Sequence, residues 1–307
     1  MDKIISIVIP MYNEQRYIAR CLNSLLVQTF RDFEVILIDD GSKDSTISIA
    51  EGYKDKLKLS ILHQKHGGPG RARNRGAKVA KGDIIIFVDA DMYFDKKLVE
   101  ELIRPIVNGE ELGTSHGYEY VGNLENPIST AFGSIRGLYD PQNNRSGIFR
   151  AILKSKFIER GGFDVSKGYG DDNLTSHGTG LMVPEAIIYH NNPESFKEIF
   201  KHSIRVGASL YNKEQLKYYF GKYIYLVIFL IIVLVTCISF LIHLKEYKYI
   251  PILILLMSVG FIIAKTIERA IKEKKISHLF YIPIVMTLRC IGYTIGGMRF
   301  LFFKKIY

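Results

Sequence analysis

Cysteine is scarce in this chain. The 307 residues hold three, Cys21, Cys237 and Cys290, odd in number and far apart. That excludes a disulfide framework and any Cys-rich zinc or iron–sulfur site, and it makes reducing conditions the default. A cleavable signal is missing as well: the apolar run Ile4–Pro10 in MDKIISIVIPMYNE is short and ends in turn residues, with no small-residue cleavage site. The first domain is therefore expected in the cytosol. Neither G-x-x-x-x-G-K-[ST] nor G-x-G-x-x-G follows the first apolar run, which argues against a P-loop nucleotidase and a dinucleotide-dependent dehydrogenase. Acidic residues are the minority, 31 Asp+Glu against 41 Lys+Arg, for a net charge of +10. Composition alone leaves nucleic acid, an anionic membrane or a phosphorylated ligand as partners.

What is present is apolar and unevenly spread. Hydrophobic residues make up 48% and mean hydropathy is +0.08, enough for one or two folded units with an apolar excess concentrated somewhere. From Tyr223 to Leu244 no residue carries a formal charge, a length that crosses a hydrocarbon core of roughly 30 Å as a helix. Tyr249–Ala264 reads as the returning arm of a helical hairpin. A third stretch, 276–303, contains Arg289 and Arg299; it is either a tilted span from which these arginines snorkel or an interfacial helix. Residues 221–307 carry 12 Lys+Arg against 3 Asp+Glu, leaving 29 against 28 for residues 1–220. Nearly all the excess charge belongs to the apolar part, so no basic stripe points to nucleic acid. The basic loop Lys265–Lys275 places itself and residues 1–220 on the cytoplasmic side.

The first 90 residues alternate apolar runs, at Ile4–Ile9, Phe33–Ile38, Leu57–Leu62 and Ile84–Val88, with helical patterns at Glu14–Gln28, Asp44–Tyr53 and Gly70–Ala80. This βαβαβαβ order predicts an α/β fold with a doubly wound, mostly parallel sheet whose ligands bind at the carboxyl ends of the strands. Three polar clusters fall there: Pro10–Glu14, Asp39–Ser42 and Asp89–Met92. Asp39, Asp40, Asp89 and Asp91 facing one crevice would repel each other and a phosphate ligand, unless a divalent cation or hydrogen-bond donors on the ligand offset them. Carboxylate oxygens select Mg²⁺ or Mn²⁺.

IPMYNE (9–14), EVILIDDGSKDST (34–46), GGPGRARNRGAKVAKGDIIIFVDADM (67–92) and YGDDNL (169–174), in this order, resemble the family-2 inverting glycosyltransferases of GT-A fold over about residues 4–212. The resemblance implies a nucleotide-sugar donor (UDP- or GDP-sugar) and a divalent metal. It implies that Tyr12, Glu14 and Asp40 line the nucleoside pocket, with Asp40 accepting from a base N–H, and that Asp89 approaches the ribose or donor sugar; Pro10, counted with the nucleotide-sugar-binding residues, reads as shaping the backbone after the strand. Asp91 would ligate the metal, with His190 completing its shell. Arg71 and Arg73 would touch nucleotide, and Arg205, in FKHSIRVG, would lie over the diphosphate. Asp172, beside Asp171, would be the general base. Each has a plainer alternative: a solvated helix face for the arginines, a helix cap for Asp171–Asp172 and a structural role for His190. Asp39 and Asp44 read as turn and helix caps.

The domain organisation read from the sequence is a catalytic domain at 1–212, split into a donor half (1–92) and an acceptor half (93–212), followed by a membrane region at 213–307. Together these readings describe a multi-pass cell-membrane enzyme with its catalytic domain in the cytoplasm. It would transfer sugar to a hydroxyl of a polyprenyl-linked glycan in surface polysaccharide or glycoprotein assembly. The nearest alternative is a polyprenyl-phosphate glycosyl synthase, whose ionised phosphate nucleophile needs no base. From another class comes a non-catalytic nucleotide-sugar-binding membrane protein.

Overall fold

A computed structural model describes residues 4–136, 145–146, 149–165, 180–209 and 277–303, with 263, 266 and 267 besides. Asp171, Asp172 and the apolar stretch 223–244 lie outside the described residues, as does 249–264 apart from Ile263. The strands are β1 (Ile5–Met11), β2 (Phe33–Asp39), β3 (Leu59–His63), β4 (Ile84–Phe87), β5 (Met92–Phe94), β6 (Gly113–Val121), β7 (Arg145–Ser146), β8 (Ala151–Leu153) and β9 (Gly180–His190). The helices are α1 (Ile18–Leu26), α2 (Thr46–Glu51), α3 (Pro69–Val79), α4 (Leu98–Val107), α5 (Pro127–Arg136), α6 (Lys154–Glu159), α7 (Phe196–Ser209) and α8 (His278–Phe303). The chain divides into two compact units, one of residues 1–123 and 137–192, the other of 124–136 and 193–306.

In the first unit the sheet runs β3-β2-β1-β4-β8-β6-β9-β5, with β7 on β9. The strands β3, β2, β1 and β4 are parallel to one another, as the apolar runs predict. β1 shows why: Ile5, Ile7 and Ile9 join one buried cluster with Cys21, Leu22 and Leu25 of α1, while Val8 joins another with Ala72 and Ala77 of α3. Both faces are covered, so the strand is apolar throughout. Beyond β4 the sheet departs from the mostly parallel expectation. β8 is antiparallel to β4 and to β6, and β5 and β7 are antiparallel to β9; only β6 and β9 run parallel there. β5 and β8 have three residues each, too few for a period of two to show in the sequence. Strand order reverses at β1, between β2 and β4, and a crevice for ligand opens at such a switch point, beyond the carboxyl ends of the strands.

A bulge lies in β9. Where β6 carries the single residue Gly117 between His116 and Tyr118, β9 carries three, Pro184, Glu185 and Ala186, between Val183 and Ile187. Beside this irregular pairing His116 and Glu119 of β6 meet, His116 Nε2 standing 3.5 Å from Glu119 Oε2. Only glycine fits: a Cβ on Gly117 would stand 2.3 Å from Cα of Pro184 and 2.5 Å from the carbonyl oxygen of Val183.

The second unit is helical. Ala131 and Phe132 of α5, Ile199 of α7, and Ile282 and Val285 of α8 share one buried cluster. Glycines let α7 and α8 approach closely, since a Cβ on Gly207 would meet the Tyr293 carbonyl oxygen at 2.3 Å and one on Gly292 would meet Cβ of Ser203 at 2.5 Å. Among the described residues no helix is long and apolar enough to cross a membrane. Arg289 is buried: its Nη2 donates to the Tyr293 hydroxyl at 2.6 Å and its guanidinium lies over the Phe132 ring at 4.7 Å.

The bulge yields a direct test. Gly117→Ala should lower the unfolding free energy by about 1–3 kcal/mol through overpacking against backbone that has little room to yield. Urea denaturation of the two proteins measures it, and equal midpoints would contradict the close approach.

Candidate active site

The carboxyl edge of β1, β2 and β4 carries the expected aspartates, and each has partners within the chain. The carboxylate of Asp39 takes the Ser42 amide at 3.0 Å and faces His63 Nδ1 at 3.3 Å, the turn-capping role the sequence suggested. Asp44 likewise accepts from the amides of Thr46 and Gln15. Asp40 is buried. Its Oδ1 accepts from Gln64 Nε2 at 2.8 Å and the Gly67 amide at 2.9 Å, and its Oδ2 from the Gly68 amide at 2.8 Å. His66 Nδ1 stands 2.8 Å from the same Oδ2 and pairs with the Asp40 carbonyl at 3.2 Å. Asp40 thereby holds the 64–68 loop at the start of α3. Gly68 enters that loop at φ 89°, in the left-handed region that glycine tolerates.

Pro10 is the next-to-last residue of β1, in register with Ile38. Tyr12 is exposed, its ring stacked on that of His66 at 4.2 Å. Asn13 sits at φ 57°, uncommon outside glycine, and is pinned by its amide to Ser42 Oγ at 3.0 Å and by its Oδ1 to the Lys43 amide at 2.8 Å. Glu14 is tied by its amide to Thr46 Oγ1 at 2.7 Å, and its carbonyl receives the first amides of α1. Of the α3 arginines, Arg71 is exposed while Arg73 is buried. Arg73 Nη2 donates to Asp89 Oδ1 at 2.5 Å, so it serves the site through Asp89. Arg205 is exposed on α7, in the second unit.

Around Asp89 and Asp91 the structure assembles residues that the sequence motifs do not mark. Arg150, just before β8, donates from Nη1 to Asp89 Oδ2 at 3.3 Å and from Nε to His116 Nδ1 at 3.3 Å. His116 Nε2 faces Glu119 Oε2 at 3.5 Å, Glu119 Oε1 takes His190 Nδ1 at 2.8 Å, and His190 Nε2 meets Asp91 Oδ2 at 3.1 Å. Hydrogen-bond directions follow from the partners. Arg150 only donates, so His116 accepts at Nδ1, carries its proton on Nε2 and gives it to Glu119. A circuit thus joins the two aspartates on either side of Ala90: Arg73, Asp89, Arg150, His116, Glu119, His190, Asp91.

The charges agree with these directions. Burial alone would raise the Asp89 carboxyl, but Arg73 and Arg150 outweigh it and hold the group well below the usual carboxylate range. Burial lowers the His116 imidazole, as do the charges of Arg150 and His190, against its bond to Glu119, which keeps it neutral. Burial also lowers His190, yet Asp91 and Glu119 push it up to about 10. The Cys21 thiol is raised well above its ordinary value by burial, then by Asp91, Asp89 and Glu14. It is an inert core residue here.

A divalent cation fits this donor set. Among the described residues Asp91 Oδ1 is buried and has no hydrogen-bond partner, an arrangement that costs free energy unless something fills it. His190 offers an imidazole nitrogen beside it, with the other nitrogen on a carboxylate, as metal-binding histidines usually have. Among the described residues no group of three or more His, Cys, Asp or Glu converges for a metal. Two protein ligands suffice for Mg²⁺-like ions that complete their shell with phosphate and water.

An α/β sheet with this switch point and an acidic turn after β4 has the architecture of the GT-A fold. The glycosyl transferase family 2 profile matches residues 6–162, and the chain belongs to that family. It is 43% identical over 221 residues to the uncharacterized glycosyltransferase EpsJ of Bacillus subtilis, covering 65% of this chain and 64% of that one. It is 42% identical over 100 residues to the poly(ribitol-phosphate) beta-N-acetylglucosaminyltransferase TarS of Staphylococcus aureus, 31% of this chain and 18% of TarS. The chain spans less than two thirds of the length of these relatives. The fold is shared with the mannosyltransferase PcManGT of Pyrobaculum calidifontis in complex with GDP-Man and Mn²⁺, with TM-score 0.59, 15% identity, and coverage of 99% of this chain and 89% of that one. It is also shared with TarS 1-349 in complex with UDP, with TM-score 0.52, 21% identity, and coverage of 71% and 72%.

Asp40→Asn tests the loop anchor. One acceptor becomes an NH₂ facing other donors, so unfolding free energy should fall by about 1–3 kcal/mol. Amide hydrogen exchange at Gly67 and Gly68 should quicken. Unchanged exchange at both would contradict the assignment.

Proposed function

We propose that the chain is an inverting, metal-dependent glycosyltransferase. It would move a sugar from a UDP- or GDP-sugar to a hydroxyl of a polyprenyl-linked or other glycan acceptor, at the cytoplasmic face of the cell membrane. The observation that carries the reading is the buried Asp91 oxygen that has no hydrogen-bond partner among the described residues, beside His190 at the strand-order switch point. Support comes from family membership and from neighbours of the same fold bound to UDP or to GDP-Man with Mn²⁺. A relative named for poly(ribitol-phosphate) transfer supports a surface-polymer acceptor. The uncharged run Tyr223–Leu244 and the basic segment after it support the membrane anchor.

In this reading Tyr12 offers its ring to the nucleobase, and Asp91 and His190 hold the cation. A bound cation of this kind neutralises charge growing on a departing diphosphate. Asp89, kept ionised by Arg73 and Arg150, accepts hydrogen bonds from ribose or donor-sugar hydroxyls. Asp172, assigned from GYGDDNL, takes the proton of the acceptor hydroxyl as that oxygen bonds to the anomeric carbon. The bond from that carbon to the diphosphate breaks on the opposite side, the electron pair leaves with the diphosphate, and configuration inverts. Asp171, by its charge, raises the basicity of its neighbour.

Thermal-shift screening of the purified full chain against UDP- and GDP-sugars with Mn²⁺ should show stabilisation by one of the two nucleotide classes. Asp172→Asn should keep that shift and lose turnover by about 10²- to 10⁴-fold, the scale of general-base catalysis. Stabilisation by none of them would overturn the donor assignment. Near-wild-type turnover of the variant would overturn the base, and with it the hydroxyl acceptor.

A further inference from the structure

Glu119 has no place in the chemistry above, yet it is buried in β6 with a side chain only 9% exposed. A buried carboxylate is costly unless its partners are well placed. Its two oxygens are divided between two imidazoles, His190 Nδ1 at 2.8 Å on Oε1 and His116 Nε2 at 3.5 Å on Oε2. His116 reaches it from β6 itself, beside the irregular pairing of Gly117 with β9, and His190 from the last position of β9. With Nδ1 engaged, His190 turns only Nε2 toward Asp91. An imidazole binds a cation through one nitrogen. The hydrogen bond at the other fixes which nitrogen that is, orients the ring and raises its basicity.

We propose that Glu119 is a positioning residue that holds the His190 ring with Nε2 facing a divalent cation on Asp91, and that His116 keeps Glu119 in that orientation. This rests on the metal-dependent reading above and extends it from the ligands to the residue that aims one of them. Arg150 ties the same arrangement to Asp89 by bonding both Asp89 and His116. The cation-facing edge and the aspartate assigned to sugar hydroxyls are thereby fixed relative to each other.

The test is a Mn²⁺ titration followed by electron paramagnetic resonance, with UDP and with GDP, on the wild type and on Asp91→Asn, His190→Ala, Glu119→Ala and Glu119→Gln. Glu119→Ala should weaken Mn²⁺ binding by about 10- to 100-fold, the range found for lost outer carboxylates. Glu119→Gln keeps an oxygen that accepts from Nδ1–H and preserves side-chain volume, so it should recover part of that loss. It is also the variant to read if the alanine protein does not fold. Nucleotide affinity without metal should be the same in all Glu119 variants. Wild-type Mn²⁺ affinity in both Glu119 variants, with binding lost in Asp91→Asn, overturns the positioning role and leaves the metal reading standing. No Mn²⁺ binding by the wild type, or no change in Asp91→Asn, removes the metal reading and this role with it. A parallel fall in metal-free nucleotide affinity would mark a general disturbance of the fold and would also count against the proposal.

Discussion

Negative charge gathered at one edge of a sheet must be balanced from inside or outside the chain, and here the balance rests first on Asp89. Its carboxylate lies between Arg73 from α3 and Arg150 from the approach to β8. At an effective dielectric near 20, opposite charges about 4 Å apart attract by about 4 kcal/mol, before the cost of desolvating them. Two guanidiniums outweigh that cost and keep the group ionised. The pairings also hold the turn after β4 to a helix on one side and to the antiparallel part of the sheet on the other, so the position of Asp91, two residues on, depends on them.

The other aspartates follow the same logic with different donors. Asp39 and Asp40 are satisfied mainly by backbone amides and imidazoles of the loops after β2 and β3. Repulsion at this edge is therefore relieved largely by the protein, where the sequence alone suggested that the ligand or a cation would have to relieve all of it. Among the described residues the remainder falls on one oxygen of Asp91, which narrows the place where a cation has work to do. β9 completes the arrangement: its last residue, His190, pairs in register with Met92 of β5 and Val121 of β6, and so reaches Asp91.

The parallel half of the fold was legible in the sequence because strands covered on both faces are apolar throughout and alternate with helices. The aspartates were legible because polar clusters after such strands fall on one edge. Arg150, His116 and Glu119 were not, since they act through pairings made by β6, β8 and β9, and strands of three residues carry no period. One signal was present: Gly117 inside a strand-like segment, a position that marks a bulge or a close backbone approach. The partners of Arg289 were not legible either, since nothing in an apolar stretch shows that Phe132 and Tyr293 lie against its guanidinium.

The role of Asp89 is tested most directly by a double-mutant cycle with Arg73, using unfolding free energies for the wild type, Arg73→Met, Asp89→Asn and the double variant. Contact between the two side chains predicts a coupling within the 0.5–3 kcal/mol range of interacting neighbours, toward its upper end, about 2 kcal/mol or more. Additive effects, with a coupling of about 0.5 kcal/mol or less, would contradict the claim that this pair sets the position of the acidic turn.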